Sequence, residues 1–302
     1  MRYVIAGASG FLGRALRAQL ARDGHEVTRL VRSEPRTPHE SYWNPARGEV
    51  DDGVLSHADV VVNLAGASIG RIPWTSSYRE TLRQSRIGTT LTLARALAGL
   101  DDPPAFIAQS ATGYYGKERG TEEIDEYSPP GEGFLADLAR DWENSTAPAE
   151  DAGVRVVRLR TGLVLDVSGG AFPLMALPFR FGLGGRLGSG RQFVGMVSLP
   201  DWVAAATFVA GQADARGPYN VSLPEPTTNA ELTAAIGAVL HRPTLLPAPA
   251  FALRLMLNGL ADELLGSVRV LPRRLLEAGF TFGSPDVTSL VTTALHKPGT
   301  RE

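Results

Sequence analysis

The pattern of apolar and polar positions predicts strands that alternate with helices along most of the chain. Apolar runs of strand length lie at residues 2–6, 26–31, 60–64, 105–110 and 154–159. Between them, apolar residues recur at helical spacing, and long helices are predicted from Trp74 to Gly99 and from Phe134 to Asp151. Residues 33–56 are polar and are predicted to be irregular. Such alternation is typical of an α/β fold with a doubly wound parallel sheet.

The pattern changes in the last third of the chain. From Ser168 to Gly195, glycine and proline become dense, which predicts a loop-rich substrate segment over residues 166–195. Further helices are predicted near Trp202–Gln212, Asn229–Leu240, Ala250–Leu265 and Pro272–Ala278. We therefore predict a core domain over residues 1–245 and a smaller, mostly helical C-terminal lobe over residues 246–302.

The first apolar run leads directly into three glycines spaced three residues apart, in the stretch GASGFLG. Gly7 allows a tight turn out of the strand, Gly10 lets a pyrophosphate approach the helix N-terminus, and Gly13 lets the helix pack close to the sheet. The position between a strand and a helix favours dinucleotide binding over a purely structural turn. The predicted cofactor-binding residues of this turn are Gly7, Ser9, Gly10, Phe11, Leu12 and Gly13.

The end of the second strand indicates which dinucleotide is bound. NAD-binding proteins of this type place an acidic residue there, which accepts a hydrogen bond from the ribose 2′-hydroxyl. This chain has Arg32 and Ser33 instead, and the nearest acid, Glu34, lies beyond the strand. A guanidinium and a hydroxyl suit a 2′-phosphate, so we predict NADP(H). The alternative is that Arg32 only flanks the strand in solvent.

Composition narrows the class of protein further. The chain of 302 residues has a net charge of −2, which supports neither nucleic acid nor an acidic membrane as a partner. There is no cysteine, which excludes disulfides and thiolate chemistry, and the five histidines are scattered, so no metal site is predicted. No apolar run reaches the length of a membrane span and no leader peptide is evident, so we predict a cytoplasmic protein.

Several motifs together resemble the extended short-chain dehydrogenase/reductase superfamily, whose core is a Rossmann fold. More narrowly, the chain resembles the atypical, nucleoside-diphosphate-sugar-epimerase-like branch of the NAD-dependent epimerase/dehydratase group, which carries a small extra C-terminal domain. The matching blocks cover nearly the whole chain: GASGFLG, VVNLAGASI, SRIGTT, SATGYYG, RVVRLRTGLVL, GLGGRLGSGRQF, RPTLLPAPAFALR and VLPRRLLEAGFTF.

The resemblance implies further cofactor contacts. Leu64, Ala65 and Gly66 would lie at the carboxyl end of a strand, where open α/β sheets bind their ligands. Arg86 stands where ordinary members have asparagine and would face the cofactor, unless it is a solvated helix arginine. Leu163 would pack against the nicotinamide, unless it belongs only to the core.

The usual catalytic pair of this superfamily, Tyr-x-x-x-Lys, is absent. The only lysines are Lys117 and Lys297, and Gly113 and Thr293 lie four residues before them. In the expected helix, Phe134 or Leu135 takes the place of the tyrosine, and Leu138 or Ala139 that of the lysine. This departure puts the usual epimerase or dehydratase chemistry in doubt.

Hydroxyl groups near the fourth strand are the candidate substitutes. The stretch SATGYYG places Ser110, Thr112 and Tyr114 at a strand end that the resemblance directs toward the nicotinamide. Tyr115 resembles a structural tyrosine, so Tyr114 is the candidate proton donor, with Arg86 or Lys117 as a cation beside it. The alternative is that Tyr114 only lines the pocket.

The glycine-rich stretch GLGGRLGSGRQF resembles a segment that lies over the substrate in sugar-nucleotide epimerases. Arg186, Arg191 and Gln192 could bind a phosphate or carboxylate there, or could belong to an ordinary connector. Two functions follow: an NADP(H)-dependent oxidoreductase or isomerase acting on a small polar molecule, or a non-catalytic NADP(H)-binding sensor or regulatory protein. A homodimer through the helix from Trp74 stays open.

Overall fold

The computed structural model describes residues 1–257 and 259–296, with side chains described outside residues 256–260. The first half of the chain forms β1 (Arg2–Ala6), α1 (Phe11–Arg22), β2 (Glu26–Val31), β3 (Glu40–Asn44), β4 (Glu49–Val50), α2 (Asp52–Ser56), β5 (Val60–Asn63), α3 (Ser76–Ala98), β6 (Ala105–Ala111), β7 (Glu118–Ile124), α4 (Phe134–Asn144) and α5 (Ala147–Asp151). The second half forms β8 (Val156–Thr161), β9 (Leu163–Leu165), α6 (Phe172–Arg180), β10 (Phe193–Val194), β11 (Met196–Ser198), α7 (Leu199–Gly211), β12 (Gly217–Val221), β13 (Thr227–Thr228), α8 (Asn229–Leu240), α9 (Ala250–Leu257), α10 (Gly259–Leu265), β14 (Ser267–Val270), α11 (Arg273–Glu277) and α12 (Val287–Leu295).

The centre of the fold is an eight-stranded sheet, in the order β12-β8-β6-β5-β1-β2-β3-β4 within the described residues. All neighbouring strands run parallel except β3 and β4, which form an antiparallel edge hairpin. The chain leaves β1 toward β2 and β3, then returns to the other side of β1 as β5. The predicted doubly wound α/β sheet is confirmed. Because the strand order reverses between β1 and β5, this point is the expected place for a ligand.

Both faces of the sheet are covered, which explains why its strands are continuous apolar runs. On one face, Tyr3 and Ile5 of β1 pack in a cluster that includes Leu16 and Leu20 of α1 and Trp202 of α7. On the other face, alternate residues of the same strands pack with α3 and α5 in a second cluster. The period-two alternation of β1 therefore fills both layers of the core.

The C-terminal part of the chain packs on the carboxyl end of the sheet. Its strand β14 pairs in parallel with β7, although the two strands are far apart in sequence. Helices α8 and α12 pack together with α6 around a third apolar cluster. The Asp201 carboxylate accepts backbone hydrogen bonds from Gly283 and Ser284, which fixes the tail against the start of α7. The predicted helical part after residue 245 is therefore present, and it also contributes β14.

Three local expectations differ from the structure. Residues 33–56, predicted to be irregular, contain β3, β4 and α2. The predicted loop-rich segment contains the helix α6, because Phe172, Ala176 and Phe179 form an apolar stripe that packs on α8. The single helix predicted from Phe134 to Asp151 is two helices, with Pro148 in the first turn of the second. Lys297 lies outside the described residues.

Candidate functional site

The glycine turn after β1 is packed so tightly that side chains are excluded from two of its positions. Gly7 has a φ of +76°, and a Cβ atom there would lie 2.5 Å from the carbonyl carbon of Leu64. A Cβ atom on Gly13 would collide with the carbonyl oxygen of Gly7. These contacts hold the turn against the end of β5, so the first helix begins directly above the edge of the sheet.

The N-terminus of α1 is open in front of Gly10. Gly10 is the N-cap of α1, and no side chain caps the helix there. A Cβ atom on Gly10 would meet only the carbonyl oxygen of Gly7, at 3.2 Å. Ser9 and Gly10 are exposed, whereas Phe11 and Leu12 pack partly into the core. Unpaired N–H groups at an accessible helix N-terminus suit a pyrophosphate, so the residues present fit a dinucleotide.

Arg32 and Ser33 follow the end of β2 and are both exposed. The Arg32 guanidinium forms no ion pair or side-chain hydrogen bond with any described residue. By contrast, the neighbouring Arg29 is paired with Glu40. Arg32 is therefore available to a ligand at this edge of the sheet.

Arg86 lies inside the site rather than in solvent. It donates hydrogen bonds to the main-chain oxygens of Ala67 at 3.1 Å and Leu82 at 3.2 Å, and its guanidinium lies 5.3 Å from the ring of Trp142. A Cβ atom on Gly66 would come within 3.5 Å of the guanidinium carbon. Burial lowers the pKa of Arg86 to about 10, so the group stays charged at neutral pH. Arg86 and Gly66 are thus brought together, and their contact with a cofactor stays a prediction.

The helix that carries the catalytic pair in ordinary family members presents apolar side chains here. Phe134 packs on Trp74, with their ring centroids 5.8 Å apart. Leu138 is buried in the same cluster, and Leu135 lies against Gly113. Neither place of the missing pair therefore holds a titratable group. Apolar side chains stand at both places, as the sequence of α4 predicts.

A buried ion-pair network lies at the end of β6, where Ser110 is 1% exposed. The Ser110 hydroxyl donates to Oε1 of Glu143 at 2.6 Å, and Arg160 holds both oxygens of that carboxylate at 2.8 Å. Nη1 of Arg160 donates to the Tyr115 hydroxyl, which donates in turn to Asn220. Burial disfavours charge on Arg160, but Glu143 raises the pKa of Arg160 above its usual value. The Ser110 hydroxyl is therefore bound within the protein.

Tyr114 lies beside this network and is only partly buried. The guanidinium carbon of Arg160 lies 3.6 Å from the centroid of the Tyr114 ring, and Tyr115 meets that ring edge-on. The cation predicted beside Tyr114 was Arg86 or Lys117, but Arg160 occupies this position. Lys117 lies 3.8 Å from Asp262. The signal for Arg160 was a charged residue in a strand with both faces covered, but Arg158 in the same strand gives the same signal.

Thr112 lies beside Gly195, which connects β10 to β11. Its hydroxyl lies 3.5 Å from the carbonyl oxygen of Thr161. A Cβ atom on Gly195 would lie 3.7 Å from that hydroxyl and 3.5 Å from Val270 of β14. The C-terminal strand therefore forms one wall beside Thr112, which sequence analysis did not anticipate because the pairing of β7 with β14 is not local.

The remaining predicted residues are either hydrogen-bonded within the protein or exposed to solvent. Leu163 begins β9, and its N–H donates to the Gly195 carbonyl oxygen at 2.8 Å. Gln192 is buried and donates to the carbonyl oxygen of Leu187, so its amide supports the loop itself. Arg186 and Arg191 are exposed, and neither forms an ion pair with a described residue.

One buried carboxylate has an unsatisfied oxygen. Oε1 of Glu126 accepts hydrogen bonds from the main-chain N–H groups of Asn220 and Arg274. Oε2 has no hydrogen-bond partner among the described residues. Burial raises the pKa of Glu126 above its usual value, although these hydrogen bonds act in the opposite direction. The hydrogen bonding of Glu126 is therefore incomplete within the described part of the network around Asn220.

The fold and the glycine turn define a nucleotide-binding protein with a Rossmann-like sheet. Among the described residues, no group of three or more His, Asp or Glu side chains could hold a metal ion. None of the described helices combines the length and apolar character that crossing a membrane requires.

Comparison with known families identifies the class. Residues 3–165 match the NAD dependent epimerase/dehydratase family, and residues 248–293 match a domain of unknown function. The chain belongs to the NAD-dependent epimerase/dehydratase family, and the resemblance inferred from its motifs is confirmed.

Relatives match this chain over nearly its whole length. An epimerase family protein from Mycobacterium bovis, Mb2239, is 43% identical over 98% of each chain. The crystal structure of human epimerase family protein SDR39U1 with NADPH has a TM-score of 0.88 and 33% identity, covering 97% of this chain and 99% of that one. A nucleoside-diphosphate sugar epimerase from Corynebacterium glutamicum has a TM-score of 0.80 and 34% identity, covering 98% of this chain and 58% of that one.

Proposed function

We propose that this protein is an NADP(H)-dependent oxidoreductase or isomerase that acts on a carbonyl or carbinol carbon of a small polar substrate. The observation that carries the proposal is the open N-terminus of α1 in front of Gly10. A cofactor bound there would extend along the edge of the sheet between Arg32 and the end of β6. The NADPH bound to the human relative supports the choice of cofactor.

The choice of NADP(H) over NAD(H) rests on the end of β2. Arg32 is exposed and has no described partner, and Ser33 adds a hydroxyl next to it. A planar guanidinium can donate two hydrogen bonds to a phosphate dianion. A ribose hydroxyl would instead need a group that accepts its own hydrogen bond. These two residues would therefore hold the 2′-phosphate.

Tyr114 and Thr112 would bind the reacting oxygen of the substrate. When bound, the nicotinamide supplies or accepts the hydride at that carbon. In the reducing direction the carbonyl oxygen gains negative charge, and the Tyr114 hydroxyl would give it a proton to form the alcohol. The tyrosine would then recover its proton from water. Ser110 supports this arrangement rather than taking part in it, because its hydroxyl is bound to Glu143.

Arg160 is the positioning residue for this proton donor. Its guanidinium is fixed by two bonds to Glu143 and lies against the face of the Tyr114 ring. A cation held on an aromatic face favours one ring orientation. Arg186 and Arg191 would bind a charged part of the substrate, because both are exposed and their segment resembles one that covers the substrate in sugar-nucleotide epimerases.

A second function is favoured by the apolar cluster on α4. Trp74, Phe134 and Leu138 fill the region where the usual catalytic pair would act. A protein that binds NADP(H) without turnover, as a sensor or regulatory component, needs the glycine turn but not a proton-transfer pair. This alternative shares the cofactor site and differs only in the role of Tyr114.

The two functions separate in one experiment. NADPH consumption is measured across panels of carbonyl compounds and sugar nucleotides, and Tyr114→Phe and Thr112→Val are compared with the exposed control Tyr127→Phe. Loss of a general acid should lower kcat by about a hundredfold for Tyr114→Phe, with little change for the control. Full activity in Tyr114→Phe would place the proton donor elsewhere. NADPH binding without turnover on any panel would favour the sensor.

A further inference from the structure

Two segments of the chain form one continuous surface, which we call the apolar–basic face: residues 172–191 and 241–255. They are joined by hydrogen bonds between Gly188 and Ala248 and between Ala248 and Arg186, each 2.9 Å long. Pro243 lies next to Gly182, at 3.8 Å from the position of a Cβ atom there. The end of α6 and the chain leading into α9 therefore lie side by side.

Large apolar side chains protrude from this face. Fourteen such side chains are exposed among the described residues, and eight of them lie in these two segments. Six are between 61% and 87% exposed: Leu174, Phe181, Leu183, Leu245, Phe251 and Leu255. Such strong exposure means that they stand out from the surface rather than line a recess. A concentration of this kind marks an interaction site rather than scattered surface residues.

The opposite side of α6 shows why this exposure is not a packing defect. Phe172, Ala176 and Phe179 of α6 are buried against α8, so α6 already has its contacts with the core through this side. Leu174, Leu177 and Phe181 occupy the remaining face. A helix that is apolar all round needs a second apolar environment.

The charge on this face has a single sign. The two segments contain five arginines and no aspartate or glutamate, although the whole chain has a net charge of −2. Arg180, Arg186, Arg191 and Arg242 are exposed, and none forms an ion pair with a described residue. The fifth, Arg254, is paired with Asp262 at 3.2 Å. These two segments are therefore basic, although the whole chain carries a small negative net charge.

We propose that the apolar–basic face binds the surface of an anionic lipid bilayer. Protruding Leu and Phe side chains insert into the boundary between head groups and acyl chains, and Arg180 and Arg242 beside them pair with anionic head groups. A second copy of this chain is disfavoured as the occupant, because a symmetric contact would place the arginines of one face against those of the other. This binding is peripheral.

The proposal is tested by sedimentation of the full chain with vesicles. One set contains phosphatidylcholine alone, and the other contains phosphatidylcholine with phosphatidylglycerol. We expect binding to the anionic set, weakening as salt is raised. Phe181→Ser with Leu255→Ser should abolish it, and Arg180→Gln with Arg242→Gln should weaken it by about tenfold or more. Tyr127→Ser, which removes an exposed aromatic ring outside the face, should bind like the parent. Circular dichroism of every variant shows that the fold is intact.

Three results would overturn the proposal. The first is no binding to either vesicle set by a protein that circular dichroism shows to be folded. The second is equal binding to both sets, which would remove the role of the arginines. The third is self-association of the parent protein that Phe181→Ser abolishes, which would assign the face to a second copy.

Discussion

The glycine turn after β1 and the end of β6 lie at the same edge of one sheet, yet they are built in opposite ways. The turn depends on missing side chains, because Gly7 and Gly13 lie where a Cβ atom would strike the main chain. The end of β6 depends on side chains that satisfy one another, from Ser110 through Glu143 and Arg160. One region leaves room for a ligand, and the other fills its own space.

This difference separates what the two regions do. An open helix N-terminus offers its N–H groups to any pyrophosphate that arrives, so its function follows from local geometry. A buried carboxylate and guanidinium must compensate each other, because either one alone would be an unpaired charge in the core. Arg160 of the network lies against the Tyr114 ring and so holds it in one orientation.

The largest expected effect is on stability, and it tests the network. Glu143→Ala leaves Arg160 buried without its partner and should reduce the free energy of unfolding by about 3–5 kcal/mol. Asp141→Ala, on the same helix, breaks the more exposed pair with Arg83 and should cost about 0–1 kcal/mol. Urea denaturation of both variants provides the measurement.

A variant that removes both charges distinguishes pairing from packing. Glu143→Leu with Arg160→Met should recover much of the stability lost in Glu143→Ala, because no unpaired charge remains. If Glu143→Ala were no less stable than Asp141→Ala, the network would not be a structural feature of the strand end.

The next effect is on binding, and it tests the turn. Gly10→Val places a branched side chain in the space in front of α1, so NADPH affinity should fall by at least about a hundredfold, or about 2.7 kcal/mol. The fold should persist, because a Cβ atom there meets only one main-chain oxygen. Gly88→Ala, whose Cβ atom would meet nothing within 4 Å, is the control. Titration and circular dichroism measure the two properties. Unchanged affinity in Gly10→Val would place the dinucleotide elsewhere.

These two regions also show how far the sequence can be interpreted. The turn, β1 and α1 lie within one stretch of chain, and apolar spacing with three glycines predicted them. The hydrogen bond from Tyr115 to Asn220 joins residues 105 positions apart, and the pairing of β7 with β14 joins residues that are even further apart along the chain. No local pattern carries such contacts. Glu143 and Arg160 were visible only as charges within buried elements, and the fold was needed to show that they meet.

A smaller effect concerns the choice of cofactor at the edge of the turn. Arg32→Ala should weaken NADPH binding by about 1.5–3 kcal/mol, the range for a hydrogen bond to a charged group, and should leave NADH binding unchanged. Arg47→Ala removes another exposed arginine of the same domain and should change neither affinity. The measurement is calorimetric titration with each dinucleotide. Equal affinities for NADPH and NADH in the parent protein would contradict the assignment.

The smallest effect concerns Glu126, where the network around Asn220 is incomplete. Burial raises the pKa of this carboxyl above 4.5, so the folded state binds its proton more tightly than the unfolded state does. The contribution of Glu126 to stability is therefore fully present below about pH 4.5 and is lost as the pH rises through the higher pKa of the folded protein.

Glu126→Gln keeps an oxygen for the N–H groups of Asn220 and Arg274 and removes the buried charge. The variant should then be more stable than the parent at neutral pH, and this advantage should disappear on acidification. Urea denaturation at a series of pH values, with the exposed Glu132→Gln as control, measures the difference. A variant that is less stable than the parent at neutral pH would show that the charged carboxylate is favourably paired, and that this end of the network is as complete as the pair of Glu143 and Arg160.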